Sequence, residues 1–137
     1  MATMDRATLL MIRAIQGGNE EIASRILNTG ASLVTVDDGG RTSLFYASYA
    51  GLVNLVQRML ELGANVHAED NDGSTSLIAA IAGPVPEDKN GFKTTCALLE
   101  AGANWEKENR DGYTPLFLAA KRGCTNVARV SIYLQCN

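Results

Sequence analysis

Histidine occurs once in this 137-residue chain, as His67, and cysteine three times, as Cys96, Cys124 and Cys136, with no Cys-x-x-Cys spacing. One imidazole and scattered thiols cannot supply the ligand set of a zinc site. An odd, unpatterned set of cysteines suits a reducing compartment better than a disulfide framework. Every apolar run is far shorter than a membrane span. The opening Met1-Ala-Thr-Met-Asp-Arg6 has no basic segment leading into an apolar stretch. No membrane association and a cytoplasmic location are expected, the nucleus being compatible as well. Neither a Gly-x-x-x-x-Gly-Lys-Ser/Thr run nor a Gly-x-Ser-x-Gly run is present, and Gly39-Gly40 reads as a turn. The chain is therefore expected not to be an enzyme and to hold no cofactor or metal.

Charge of one sign is also missing. The net charge is −3, yet residues 70–108 carry −4 and residues 109–137 carry +3. No long basic stripe runs along the chain, so a nucleic-acid partner is not expected. With 46% hydrophobic residues the chain can bury a core as one folding unit.

What the sequence does have is a period. Gly30-Ala31, Gly63-Ala64 and Gly102-Ala103 recur behind Ile-Leu, Met-Leu and Leu-Leu pairs. Gly40-Arg-Thr-Ser-Leu44, Gly73-Ser-Thr-Ser-Leu77 and Gly112-Tyr-Thr-Pro-Leu116 recur in step. Gly40 and Gly73 are 33 residues apart, and Gly73 and Gly112 are 39 apart, which is one period plus a six-residue insertion. A period of this size predicts a stacked-repeat solenoid whose core is a strip shared between neighbours.

One repeat, 37–69, shows the local logic. Asp37-Asp-Gly-Gly40 predicts a turn. Thr42, like Thr75 and Thr114, stands where a helix N-cap belongs, and Pro115 suits a first helical position. A short helix is expected over 43–50, with Leu44, Ala47 and Ser48 on one side. The small Ala47, Ala80 and Ala119 allow another helix to approach. A second helix is expected over 52–62, its apolar stripe made of Leu55, Val56, Met59 and Leu60 and its end marked by Gly63. Asp37-Asp38 and Asp70-Asn-Asp72 fall at one repeat position and read as turn residues, not catalytic carboxylates. His67 reads as a loop residue with a local hydrogen bond.

The pattern resembles the ankyrin repeat, through the signature Gly-x-Thr-Pro-Leu-x-x-Ala-Ala, which residues 109–123 match almost fully and residues 40–65 and 73–104 match well. Residues 5–36 match through Ala14, Ile22, Ile26-Leu27 and Gly30-Ala31. The resemblance implies an all-α solenoid of stacked helix-turn-helix units with β-turn or hairpin tips. It implies a single domain over 1–137, with repeats near 4–36, 37–69, 70–108 (insertion near 84–89) and 109–137. The family's usual histidine after Pro-Leu is replaced by Phe45, Ile78 and Phe117, so apolar contact is expected in its place. Ser32, Asn65 and Asn104 follow Gly-Ala, with His67 and Glu106 beyond, and these loops are expected to be less tightly tied.

The resemblance further implies protein binding along a concave groove made of the turn tips and first helices. Carried onto this chain, the second repeat offers Val36, Asp38, Gly39, Arg41, Tyr49 and Ala50. The third offers Glu69, Asn71, Asp72, Ser74, Ala82 and Gly83. The fourth offers Glu108, Arg110, Asp111, Tyr113, Lys121 and Arg122. None of these is expected to be needed by the stack itself. Acidic tips beside a basic fourth repeat fit a protein or peptide partner of mixed charge.

The ends and the insertion complete the reading. Repeat one lacks the Thr-Pro start, and Arg6, Arg13 and Gln16 can face water as a cap. Residues 125–134 are apolar around much of their helix, so this end is expected to self-associate or fray. The prolines of 84–89 should stop the preceding helix, making either a plain surface loop or an added lip on the groove. Cys96 is expected to be partly exposed, and Cys124 to open the last helix, where a helix N-terminus can lower a thiol pKa. An adaptor, scaffold or regulator fits best. A targeting or regulatory segment of a larger enzyme or signalling protein, or a kinase-inhibitor-like protein, fits the same pattern.

Overall fold

A computed structural model describes residues 5–84, 86 and 88–136, except the side chains of 131 and 134–136. What the sequence predicts for residues 1–4, Val85, Glu87, Asn137 and the Leu134, Gln135 and Cys136 side chains lies outside the described residues. Among the described residues eight helices follow one another: α1 (Arg6–Gln16), α2 (Glu20–Asn28), α3 (Ser43–Ala50), α4 (Val53–Glu61), α5 (Ser76–Ala82), α6 (Lys89–Glu100), α7 (Pro115–Lys121) and α8 (Thr125–Cys136). No strand occurs among the described residues.

The caps explain where these helices begin. Thr42, Thr75 and Thr114 each accept a hydrogen bond from the backbone N–H three residues on, relieving orphan donors of the first turn. Pro115 occupies the first position of α7. Asn19 and Asp88 do the same for α2 and α6. The second helix of repeat two is shorter than the expected 52–62: Leu52 is its N-cap and Leu62 its C-cap.

Helices pack in two layers. α1, α3, α5 and α7 touch in succession, as do α2, α4, α6 and α8, and each first helix also packs on its own second helix. α3 is apolar nearly all round because it lies between α1, α4 and α5. Ala47, Ala80 and Ala119 are buried at these close approaches. α4 is one-sided: Val53, Leu55, Val56 and Met59 are buried, while Asn54, Gln57, Arg58 and Glu61 face water. Leu60, placed in the stripe from sequence, is only half-buried. One continuous core runs from Met11 through Leu44, Leu77 and Leu98 to Val127.

The tips are a repeated turn. Asp37 Oδ1 accepts from the N–H of Gly39 and Arg41, Asp70 Oδ1 from Asp72 and Ser74, and Asn109 Oδ1 from Asp111 and Tyr113. Neighbouring tips are joined: Asn71 N–H donates to Gly39 O at 2.9 Å, and Arg110 N–H to Asp72 O at 2.8 Å. The loops after Gly-Ala carry local bonds: Ser32 Oγ accepts from Val34 and Thr35, Asn65 Oδ1 from His67, and Asn104 Oδ1 from Glu106. A hydroxyl or amide in this place reaches the N–H groups two or three residues on.

The third repeat departs from the others. In repeats one, two and four, a left-handed glycine ends the first helix: Gly18, Gly51 and Gly123 donate to Ile15 O, Ser48 O and Ala120 O. One period after Gly51 stands Pro84, which has no N–H to give. α5 ends at Ala82, two residues before Pro84, as α1 and α7 end two residues before their glycines, but without the glycine bond. Arg122 supplies the missing donors, its Nη1 reaching Ile81 O at 2.6 Å and Gly83 O at 2.8 Å. The residues gained by the insertion also lengthen α6, which starts at Lys89 behind its Asp88 cap.

Candidate functional site

The first helices and tips of repeats two and three enclose an open cleft of about 410 Å³. Arg41 and Tyr49 line it from one side, and Asp70, Asp72 and Ser74 from the other. Phe45, Tyr46 and Ile78 form the rest of its wall. Tyr49, Arg41, Asp72 and Ser74, expected from sequence on one groove, all line this cleft. Tyr46 was not expected there, although Tyr46 follows directly on Phe45, the position where apolar contact was expected.

A half-buried polar network organises this cleft. The Tyr46 hydroxyl donates to Asp37 Oδ2, in the turn that opens the same repeat. Arg41 lies 5.8 Å from the Phe45 ring centroid, and its Nε is 3.8 Å from Asp70 Oδ2. The Asp70 side chain is only 4% exposed, so this carboxylate is held inside the stack and not offered to a partner. Burial opposes ionisation of Asp37, but bonds from Tyr46 and from the Arg41 and Gly39 N–H groups, with the Arg41 charge, outweigh it and hold its carboxyl below the ordinary range. Burial and the Asp37 carboxylate raise the Tyr46 phenol. Hydrogen bonding to Tyr46 and nearby carboxylates raise Arg41 further.

Repeat four presents a second cluster. Tyr113 and Phe117 stack with centroids 5.4 Å apart, and Lys121 Nζ lies 4.7 Å from the Tyr113 centroid and 2.9 Å from its hydroxyl. Phe117, one of the residues in the usual histidine place, is 52% exposed beside it. Arg110, Asp111 and Glu108 are exposed at the tip, and Val36, Asp38 and Asp72 are exposed on the tips before it. Glu69 is exposed and pairs with Lys107 at 3.3 Å.

The expectation that no site residue is needed by the stack fails at several positions. Asn71 Nδ2 donates to Asp38 O, Ser74 is buried and its hydroxyl accepts from Asn109, and Arg122 holds the end of α5. Gly83 is also structural: a Cβ there would lie 2.1 Å from the Tyr49 carbonyl oxygen. Cys124 is buried at the start of α8, and burial, then the Glu100 charge, raises the half-buried Cys96 thiol, so Cys96 has little thiolate character. Among the described residues no group of His, Cys, Asp and Glu side chains is placed to hold a metal ion, and no helix is long and apolar enough to cross a membrane.

Comparison with known proteins agrees with this geometry. A family model described as ankyrin repeats (3 copies) matches residues 2–70, half of the chain. No curated protein matches the sequence. Beyond residue 70 the same caps, tip turns and two-layer packing continue through α5 to α8. The chain belongs to the ankyrin-repeat family, whose repeats are protein–protein interaction modules.

Proposed function

We propose that the chain is an adaptor, scaffold or regulator, folded as a single domain over 1–137, that binds a partner protein along the groove face of its tips and first helices. One observation carries the reading. The cleft between repeats two and three is open, walled by aromatic rings and rimmed by the exposed Asp72 carboxylate, while its framework side chains are already satisfied by one another. A surface so braced loses little ordering entropy when a partner docks. Tyr49, 48% exposed, and the Tyr113–Phe117 pair supply rigid contact area. Val36 adds exposed apolar surface, and the exposed side chains of Asp38, Asp72, Glu108, Arg110, Asp111 and Lys121 select the partner's charge. Arg41, Glu69, Asn71, Ser74 and Arg122 hold the surface in place. A partner of mixed charge suits acidic tips in repeats two and three and basic side chains in repeat four.

The test is affinity capture from the source cell with the native chain, a Tyr49→Ala/Arg110→Ala/Tyr113→Ala variant and an Arg58→Ala control on exposed α4. The variant should lose the captured protein while keeping its melting midpoint, and the control should retain it. Retention by the triple variant would place the binding surface elsewhere. A second reading, self-association through α8, is favoured by Ile132 and Tyr133, which are 49% and 67% exposed. A sedimentation run giving a monomer at all concentrations would dismiss it.

A further inference from the structure

The insertion of repeat three reaches the groove. Gly83 runs against the end of α3 so closely that any side chain would strike the Tyr49 carbonyl. Arg122 holds the Ile81 and Gly83 carbonyls from the other side. Together these contacts fix Pro84 beside the C-terminal turn of α3. There Pro84 forms one wall of a cleft of about 310 Å³, opposite Ile15, Gln16 and Leu52. Pro86 is buried and Asp88 caps α6, so the insertion is anchored at several points.

This cleft shares Tyr46 and Tyr49 with the larger one between repeats two and three. The two adjoin at these rings, one at the base beside the insertion and the other at the rim beside the turn tips, and they differ in chemistry. The base is bounded by Pro84, Leu52, Ala50 and Ile15 and has no charged side chain. At the rim, Arg41 is engaged by Asp70 and Phe45, leaving Asp72 exposed and without an ion pair among the described residues.

Resting on the groove reading above, we infer that the docked partner segment places a bulky apolar side chain in the Pro84 cleft and a lysine or arginine against Asp72. An apolar group entering the base leaves water for a site already shaped to receive it. A basic side chain can lay its stem along the Tyr49 and Phe45 rings and bring its charge to the carboxylate. The insertion is then a specificity element: a stack of the regular period has glycine where Pro84 stands.

The test uses a phage-displayed library of random peptides selected on the immobilised full chain. Enriched peptides should share a basic residue and a large apolar one. A synthetic copy should bind about five- to tenfold more weakly to Asp72→Asn and to Pro84→Ser. Replacing the peptide's basic residue by alanine should abolish the difference between native chain and Asp72→Asn. If Pro84→Ser lowers the melting midpoint, Gln16→Trp, which fills the cleft from the opposite wall, gives an independent reading and should weaken binding too. Peptides weakened by Tyr49→Ala but indifferent to Asp72→Asn and Gln16→Trp would overturn the inference and leave the groove reading standing. Peptides indifferent to all of these, or no enrichment, would overturn both.

Discussion

Gly83 has a φ of −68°, which any residue adopts, so backbone freedom is not why glycine stands there. It stands there because repeat three presses on the Tyr49 carbonyl. Gly83→Ala should cost about 1–3 kcal/mol by forcing two backbones apart, read as a lower urea midpoint with unchanged slope. Arg122 is the complementary case. Removing it leaves the carbonyls at the end of α5 without the donors that other repeats take from glycine N–H groups. Arg122→Ala should cost about 1–3 kcal/mol, and Arg122→Lys should recover part of it, because one nitrogen, Nη1, makes both bonds and an ammonium also carries several donors. Asp37 and Tyr46 predict a pH dependence. The folded Asp37 value lies below its ordinary 3.8, so its contribution is complete above 3.8 and is lost as pH falls through the folded value. Tyr46 lies above its ordinary 10.0, so its contribution is present below 10.0 and is lost as pH rises through the higher folded value. Urea melts across pH should show both losses reduced in Tyr46→Phe, which should also cost about 1–2 kcal/mol at neutral pH. Equal acid sensitivity in Tyr46→Phe and the native chain would remove this network from the stability of the fold.

First helices carry the stacking, and their small residues set the spacing. Ala47 is fully buried where α3 lies between α1 and α5, so Ala47→Leu should cost about 1–3 kcal/mol through overpacking. An unchanged thermal melt would mean that this face is not the contact. The helices themselves were largely legible in the residues. Thr42 and Gly51 bracket α3 with a cap at each end, and both are local signals. α6 was not legible, because its start depends on Asp88 inside an insertion with no counterpart in the other repeats. The candidate surface was legible in outline through Tyr49, Asp72 and Tyr113. The structural duty of Arg122, Asn71 and Ser74 was hidden, because their partners lie 39, 33 and 35 residues away in the chain, across a repeat boundary. The loss of the glycine cap at Pro84 was visible in the sequence and did call for a donor from elsewhere. Which side chain would supply it depends on how repeats three and four pack.

Across the molecule a shared core links each unit to its neighbour, tip-to-tip backbone bonds join repeats two to three and three to four, and ion pairs join repeats two and three. Arg41–Asp70 and Lys107–Glu69 cross repeat boundaries, but the half-exposed Lys107–Glu69 pair contributes at most about 1 kcal/mol. Burial along the strip therefore holds the stack, and the exposed charges at its tips are left for the proposed docking. Partner association should slow markedly between low and physiological salt, because those charges are exposed and screened. The most direct measurement places a photo-crosslinking amino acid at Tyr49, and separately at Arg58 on α4, and irradiates each with the captured partner present. The account predicts covalent capture from position 49 and none from position 58. Crosslinking from position 58 alone would contradict it, showing that the partner sits on the second helices and not on the groove face.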